Sequence, residues 1–207
     1  MADINCYGVI GHGFADDLRR AVAKVPKHEP VELHISSPGG LLCEGVTAYN
    51  VLKRAPNEVI AYLDGDAFSA STLLVCAADS TEMPSNCLMM IHEPWLPGGV
   101  AGTLDDIRRA GNYLRATKKQ CVEIYHDKTG KPKRSISKML KDETYLTATE
   151  AQGVGLVTNV TGPTTEVVNM PLDSYTEARN KDALAKCLGQ RHIVRDVSEI
   201  LKTIRGE

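Results

Sequence analysis

Four short segments of this 207-residue chain carry side chains suited to acyl transfer. In Asp64-Gly-Asp-Ala-Phe-Ser-Ala70, Ser69 stands between a strand-like run and an apolar helix, predicted by the spacing of Ala70, Leu73, Leu74, Ala77 and Ala78. Backbone N–H groups and the helix dipole favour negative charge at such a point, so an alkoxide or a tetrahedral oxyanion would be stabilised there. A serine that merely caps the helix is the ordinary alternative. In Met89-Met-Ile-His-Glu-Pro-Trp95, His92 closes a wholly apolar strand. From a strand end the ring reaches into a cleft, and its near-neutral pKa suits it to take a proton from a serine. A core or surface histidine is the plain reading of the same position. His34 lies inside a strand pattern, and His12, His28, His126 and His192 lie in polar stretches, so none of them shares this setting.

Ser36-Ser-Pro-Gly-Gly40 is the third segment. Gly39 and Gly40 permit a strained loop that presents a backbone N–H, as an oxyanion hole requires, or else an ordinary tight turn. The fourth is Lys141-Asp-Glu-Thr-Tyr-Leu-Thr-Ala148, where Asp142 or Glu143 offers a carboxylate to orient a histidine, or forms a solvated acidic pair.

These segments must be positioned by the elements around them. Ile4–Ile10, Val31–Ile35, Val59–Leu63, Cys87–Ile91 and Leu156–Val160 read as strands, the second running into a turn at 36–40 and the third stopped at 64–66. Helices are predicted over Ala15–Val25, from Leu42 through Val46 and Tyr49, over Ala70–Ala78, Thr103–Thr129 and Ser135–Leu140, and over Thr149–Gly153. Strands alternating with helices argue for an α/β fold with right-handed crossovers. After Val160 the linker-like Thr161-Gly-Pro-Thr-Thr165 opens a charge-rich stretch, so the chain divides into a domain over 1–161 and a C-terminal extension over 162–207.

Composition narrows the function classes. Lys+Arg number 24 against 26 Asp+Glu, a net charge of −2 that provides no basic field for nucleic acid. No apolar run approaches the ~20 residues of a membrane span, and the first residues lack the pattern of a secretory signal. Cys6, Cys43, Cys76, Cys87, Cys121 and Cys187 form no CxxC pair, which favours reduced thiols in a cytoplasm over disulfides or zinc.

Taken in order, the four segments resemble the ClpP family of serine peptidases. Ile35–Gly40 is similar to that family's oxyanion loop, Gly65–Ala70 to its nucleophile segment, Met90–Pro94 to its histidine segment, and Thr147–Val157 to its closing helix and strand. The resemblance implies a ClpP/crotonase-type superhelix of ββα repeats, with Thr103–Thr129 as a protruding handle helix that interlocks subunits of a ring-shaped homo-oligomer. It implies Ser69 as nucleophile, His92 as general base and acid, and oxyanion donors near Gly39, Gly40 and Ala70. It calls for protein substrates and no cofactor or metal. The family's aspartate falls without a gap on Glu143, whereas Asp142 needs one inserted residue, so Glu143 is favoured. Phe68 and Ser71 replace a small residue and a glycine of the family, and Phe68 reshapes a neighbouring pocket. The chain starts almost at its first strand, which argues against a Clp ATPase partner. Met-Met-Ile-His and Glu-Thr-Tyr-Leu-Thr-Ala bring it nearest to phage head maturation (prohead) proteases, which process scaffold and capsid polypeptides. The expected location is then the host cytoplasm or the prohead interior. The alternatives are a ClpP paralogue in general protein turnover, an acyl-CoA enzyme of the crotonase kind, and an inactive assembly protein of the same fold.

Overall fold

The computed structural model describes residues 3–96 and 98–163. Strand β1 (Asp3–Ile10) is followed by α1 (Phe14–Val22), β2 (Val31–Gly40), α2 (Leu42–Lys53) and β3 (Val59–Phe68). A single 3-10 turn, Ser69–Ser71, opens α3 (Thr72–Ala77), which leads to β4 (Ser80–Pro84) and β5 (Leu88–Ile91). The long α4 (Leu104–Thr129), then α5 (Lys133–Lys141), β6 (Thr144–Thr147), α6 (Ala148–Val154) and β7 (Asn159–Thr161) complete the order. Residues 3–95 and 101–163 belong to one compact unit, and Leu96–Val100 is grouped apart from it.

Strands β1, β2, β3, β4 and β7 lie side by side in that order, all parallel. The sheet forks at β3. Its first half pairs β4 through Ile60–Tyr62, while its end pairs β5 through Ala67 and Phe68. β6 then pairs β5 antiparallel. Val31, Leu33 and Ile35 of β2 are fully buried and alternate with half-buried Glu32, His34 and Ser36. That period of two puts the core on one face, where Leu18, Val22, Ala48, Leu52, Leu73 and Leu74 of α1, α2 and α3 join it. The leucine, isoleucine and valine side chains of this face each contribute about 1.5–3 kcal/mol by leaving water. The other face carries polar ties: Tyr7 and His34 Nδ1 both bind Asp64, and His34 stacks on Tyr62.

Several elements depart from the sequence expectation. β2 and β3 run past their predicted stops to Gly40 and Phe68, because register shifts absorb the turn signals as bulges: Asp64-Gly-Asp66 opposite Ile35 and Ser37, and Ser37-Pro38 opposite Tyr7 and Val9. The helix predicted to Val25 closes at Val22, and the N–H groups of Lys24 and Val25 bond back only three residues. β4 and β6 are strands that periodicity does not announce. β4 is short and polar with a terminal proline, and β6 buries Leu146 alone. β7 lies at 159–161 rather than 156–160; Leu156 and Val157 are buried without pairing.

The long helix forms as expected. Thr103 and Asp106 cap its start reciprocally, and Gly130 at φ 66° ends it. Its buried residues, Thr117, Cys121, Val122, Ile124 and Tyr125, all lie in its second half, while Leu104, Ile107 and Tyr113 are exposed. Cys6, Cys76, Cys87 and Cys121 are buried free thiols and Cys43 is an exposed one. Cys187, His192 and all but the first two residues of the predicted 162–207 extension lie outside the described residues. Among the described residues no helix is long and apolar enough to cross a membrane.

Candidate active site

Ser69 and His92 meet because the strands that carry them are neighbours. Phe68 pairs with Met90 across β3 and β5, so the residues just past the two strand ends are brought together. His92 Nε2 lies 2.6 Å from Ser69 Oγ. If the hydroxyl donates to Nε2, the ring proton sits on Nδ1 and points away from the serine, where a carboxylate would hold it.

The backbone of Ser69 is left-handed, at φ 57°. A non-glycine residue pays for that conformation, and the surroundings must over-determine it. Here hydroxyls one turn ahead brace the carbonyl on each side. Ser71 Oγ donates to the Phe68 carbonyl at 2.8 Å, and Thr72 Oγ1 donates to the Ser69 carbonyl at 2.6 Å. Ser71 Oγ also lies 3.1 Å from the Ser37 carbonyl, which ties the helix start to the glycine segment. None of these braces is announced by the sequence. A hydroxyl three residues after the carbonyl it serves is too common a pattern to single out.

The glycine segment presses against the serine. A Cβ at Gly39, whose φ is +86°, would lie 2.5 Å from the Phe68 carbonyl, 2.8 Å from Ser69 Cβ and 2.9 Å from the Ala70 nitrogen. Only glycine allows the approach. The Gly39 N–H donates to Ser37 Oγ, which in turn donates to the Gly8 carbonyl. Gly39 therefore lies against Ser69 and Ala70 from the extended end of β2 rather than from a free turn, while the next residue, Gly40, packs against the Ile10 backbone of β1.

The two acids diverge. Asp142 ends α5 and forms an ion pair with Lys138, one turn back on the same helix. Glu143 takes a left-handed backbone at φ 49° and leads into β6. The β5–β6 ladder pairs Leu88 with Thr147 and Ile91 with Thr144, so it ends one residue before His92 on one strand and one residue after Glu143 on the other. The Leu140 carbonyl accepts both the Glu93 N–H at 3.0 Å and the Glu143 N–H at 3.3 Å, which holds the two backbones together at that point. Tyr145 O–H donates weakly to Glu143 Oε1 at 3.4 Å, and its ring meets Phe68 edge-on at 6.0 Å. Phe68 thus closes the surface beside the serine against β6.

A strained serine at a helix start, bonded to a histidine on the adjoining strand, is an arrangement that serine hydrolases of unrelated folds share. Residues 13–164 match the family model for Clp protease. This chain belongs to the Clp protease family, a family of ClpP-like serine peptidases. It is 32% identical over 144 residues, 69% of this chain and 70% of the relative, to the ATP-dependent Clp protease proteolytic subunit 3 of Rhodococcus jostii. It is 30% identical over 134 residues to the proteolytic subunit 1 of Chlamydia caviae, covering 64% of this chain and 70% of that protein. A structure of a ClpP1 mutant from Listeria monocytogenes superposes with a TM-score of 0.69 at 22% identity, over 78% of this chain and 91% of that one. The expected α/β class and ClpP-type fold are the ones found.

Proposed function

We propose that this chain is a serine endopeptidase, with residues 1–161 as its peptidase domain. Ser69 Oγ attacks the scissile carbonyl while His92 Nε2 takes its proton, and the same nitrogen then delivers that proton to the leaving amine. Water repeats the sequence to release the acyl group. Glu143 accepts the Nδ1–H of His92 and fixes the ring. The N–H groups of Gly40 and Ala70 face the oxyanion, and Gly39 supplies the room for them. The observation that carries this reading is the 2.6 Å contact between Ser69 Oγ and His92 Nε2 at a strained helix start.

For its substrates we propose the scaffold and capsid polypeptides of a phage head, inside the prohead or the host cytoplasm. The support is the resemblance carried by Met89–His92 and Glu143–Ala148. A ring-shaped homo-oligomer joined through α4 belongs to the same reading. The curated relatives favour a second one, general protein turnover, since they are described as proteolytic subunits of ATP-dependent Clp proteases.

A serine-reactive fluorophosphonate, followed by peptide mass spectrometry, tests the chemistry. Label on Ser69 above all other serines is expected, and an unlabelled Ser69 in folded protein would remove the peptidase reading. Cleavage of purified scaffold protein without any ATPase favours head maturation. Degradation of an unfolded protein only when a Clp ATPase and ATP are added favours turnover.

A further inference from the structure

We propose that Tyr125, on the long helix α4, is a positioning residue for Ser69, acting through Thr72; the inference rests on the reading of Ser69 as the nucleophile. Thr72 opens α3, is fully buried, and commits its one hydroxyl proton to the Ser69 carbonyl. The phenolic oxygen of Tyr125 lies 2.5 Å from Thr72 Oγ1. Thr72 has no second proton to offer, so Tyr125 is the donor. The result is a one-way chain, Tyr125 O–H to Thr72 Oγ1–H to the Ser69 carbonyl.

Tyr125 is 3% exposed and Thr72 0%, a depth at which an unmatched hydroxyl is costly and a pair of apolar residues would pack at no such risk. Burial keeps the phenol protonated by pushing its pKa well above 10.0. The chain ends on the carbonyl of the strained residue itself, where it fixes the peptide plane that follows the Ser69 Cα and so steadies the backbone that carries the side chain. Ser71 braces the other carbonyl from within the turn and from β2, so Tyr125 supplies the only one of these ties that reaches Ser69 from α4. Lys118 lies on the same face of α4 two turns earlier, and its ammonium pairs with Glu93, the residue after His92. One helix face therefore holds both halves of the Ser69–His92 pair.

The test compares Tyr125→Phe, Thr72→Val and Thr72→Ser in the full chain. The readouts are the fluorophosphonate labelling rate of Ser69, kcat and KM on a peptide, and thermal melting. Tyr125→Phe and Thr72→Val should each slow labelling and kcat by about five- to tenfold, the worth of one buried hydrogen bond, with KM unchanged. Their double variant should be no slower than either alone, because they interrupt one chain. Thr72→Ser keeps the hydroxyl and should restore the original rates. Labelling of Tyr125→Phe at the unmodified rate would overturn the inference even if its melting temperature fell. So would Thr72→Ser as slow as Thr72→Val, a result that overturns the inference even if Tyr125→Phe does not fold. Failure of the unmodified protein to label at Ser69 removes the nucleophile reading and this inference with it. Normal labelling that no variant alters removes only the positioning role.

Discussion

Ser69 bears the conflict between backbone ease and chemical use. Its left-handed conformation costs about 1–2 kcal/mol for a residue with a Cβ. Glycine avoids that cost and loses about 0.5–1 kcal/mol through its freer unfolded chain. Both Ser69→Gly and Ser69→Ala should therefore abolish peptide cleavage, with Ser69→Gly the more stable of the two in urea denaturation. The carboxylate partner is decided at the same scale. Glu143→Gln should lower kcat by up to ~10⁴-fold while Asp142→Asn stays near normal, because Asp142 is spent on Lys138. Collapse of Asp142→Asn with an active Glu143→Gln would reverse the assignment. The Ser69–His92 pair is legible in the sequence because each residue adjoins an element whose apolar pattern is clear, the helix after Ser69 and the strand before His92. The choice between Glu143 and Asp142 depends on the register of β6, and a four-residue strand that buries only Leu146 has no periodicity to read.

At the scale of elements, helix α1 starts without a cap of its own. Gly13 holds the cap position, and Glu44 on α2 reaches across to accept the N–H groups of Gly13 and Ala15. Those bonds, that of Ala15 first and of Gly13 second, hold the Glu44 carboxyl below its ordinary 4.5. A carboxylate depressed on folding stabilises fully above its ordinary pKa and loses the contribution as pH falls through the folded value. Glu44→Gln should thus lower the urea midpoint at pH 7, and the gap from the unmodified protein should close as pH approaches 2. A gap that does not change with pH would show that the charge is idle. Helix α4 is legible in the loose three-four spacing of Leu104, Ile107, Gly111, Leu114, Cys121 and Tyr125, and the structure adds the caps at Thr103 and Gly130. The overruns of β2 and β3 are not legible. Pro-Gly-Gly and Asp-Gly-Asp signal a turn locally, and only pairing with the neighbouring strands turns those residues into bulges.

For the whole molecule, the first half of α4 has no buried residue and shows Leu104 and Ile107 more than half exposed. Apolar side chains at that spacing on a bare helix suit a subunit contact. Leu104→Glu combined with Ile107→Glu should give a folded, dissociated protein of much reduced activity. Analytical ultracentrifugation showing a fully active monomer before any substitution would contradict this. The pairing of β5 with β6 has a further consequence, in time rather than space. Ile91 and its partner Thr144 are 144 − 91 = 53 residues apart in the chain. Ribosomes add about 5–20 residues per second, so β6 is synthesised roughly 3–10 s after the histidine strand. With Glu143 as the orienting acid, a growing chain that has already made Ser69 and His92 still lacks for those seconds the carboxylate that would steady the imidazole. On that reading a nascent chain would cleave poorly until β6 has been added.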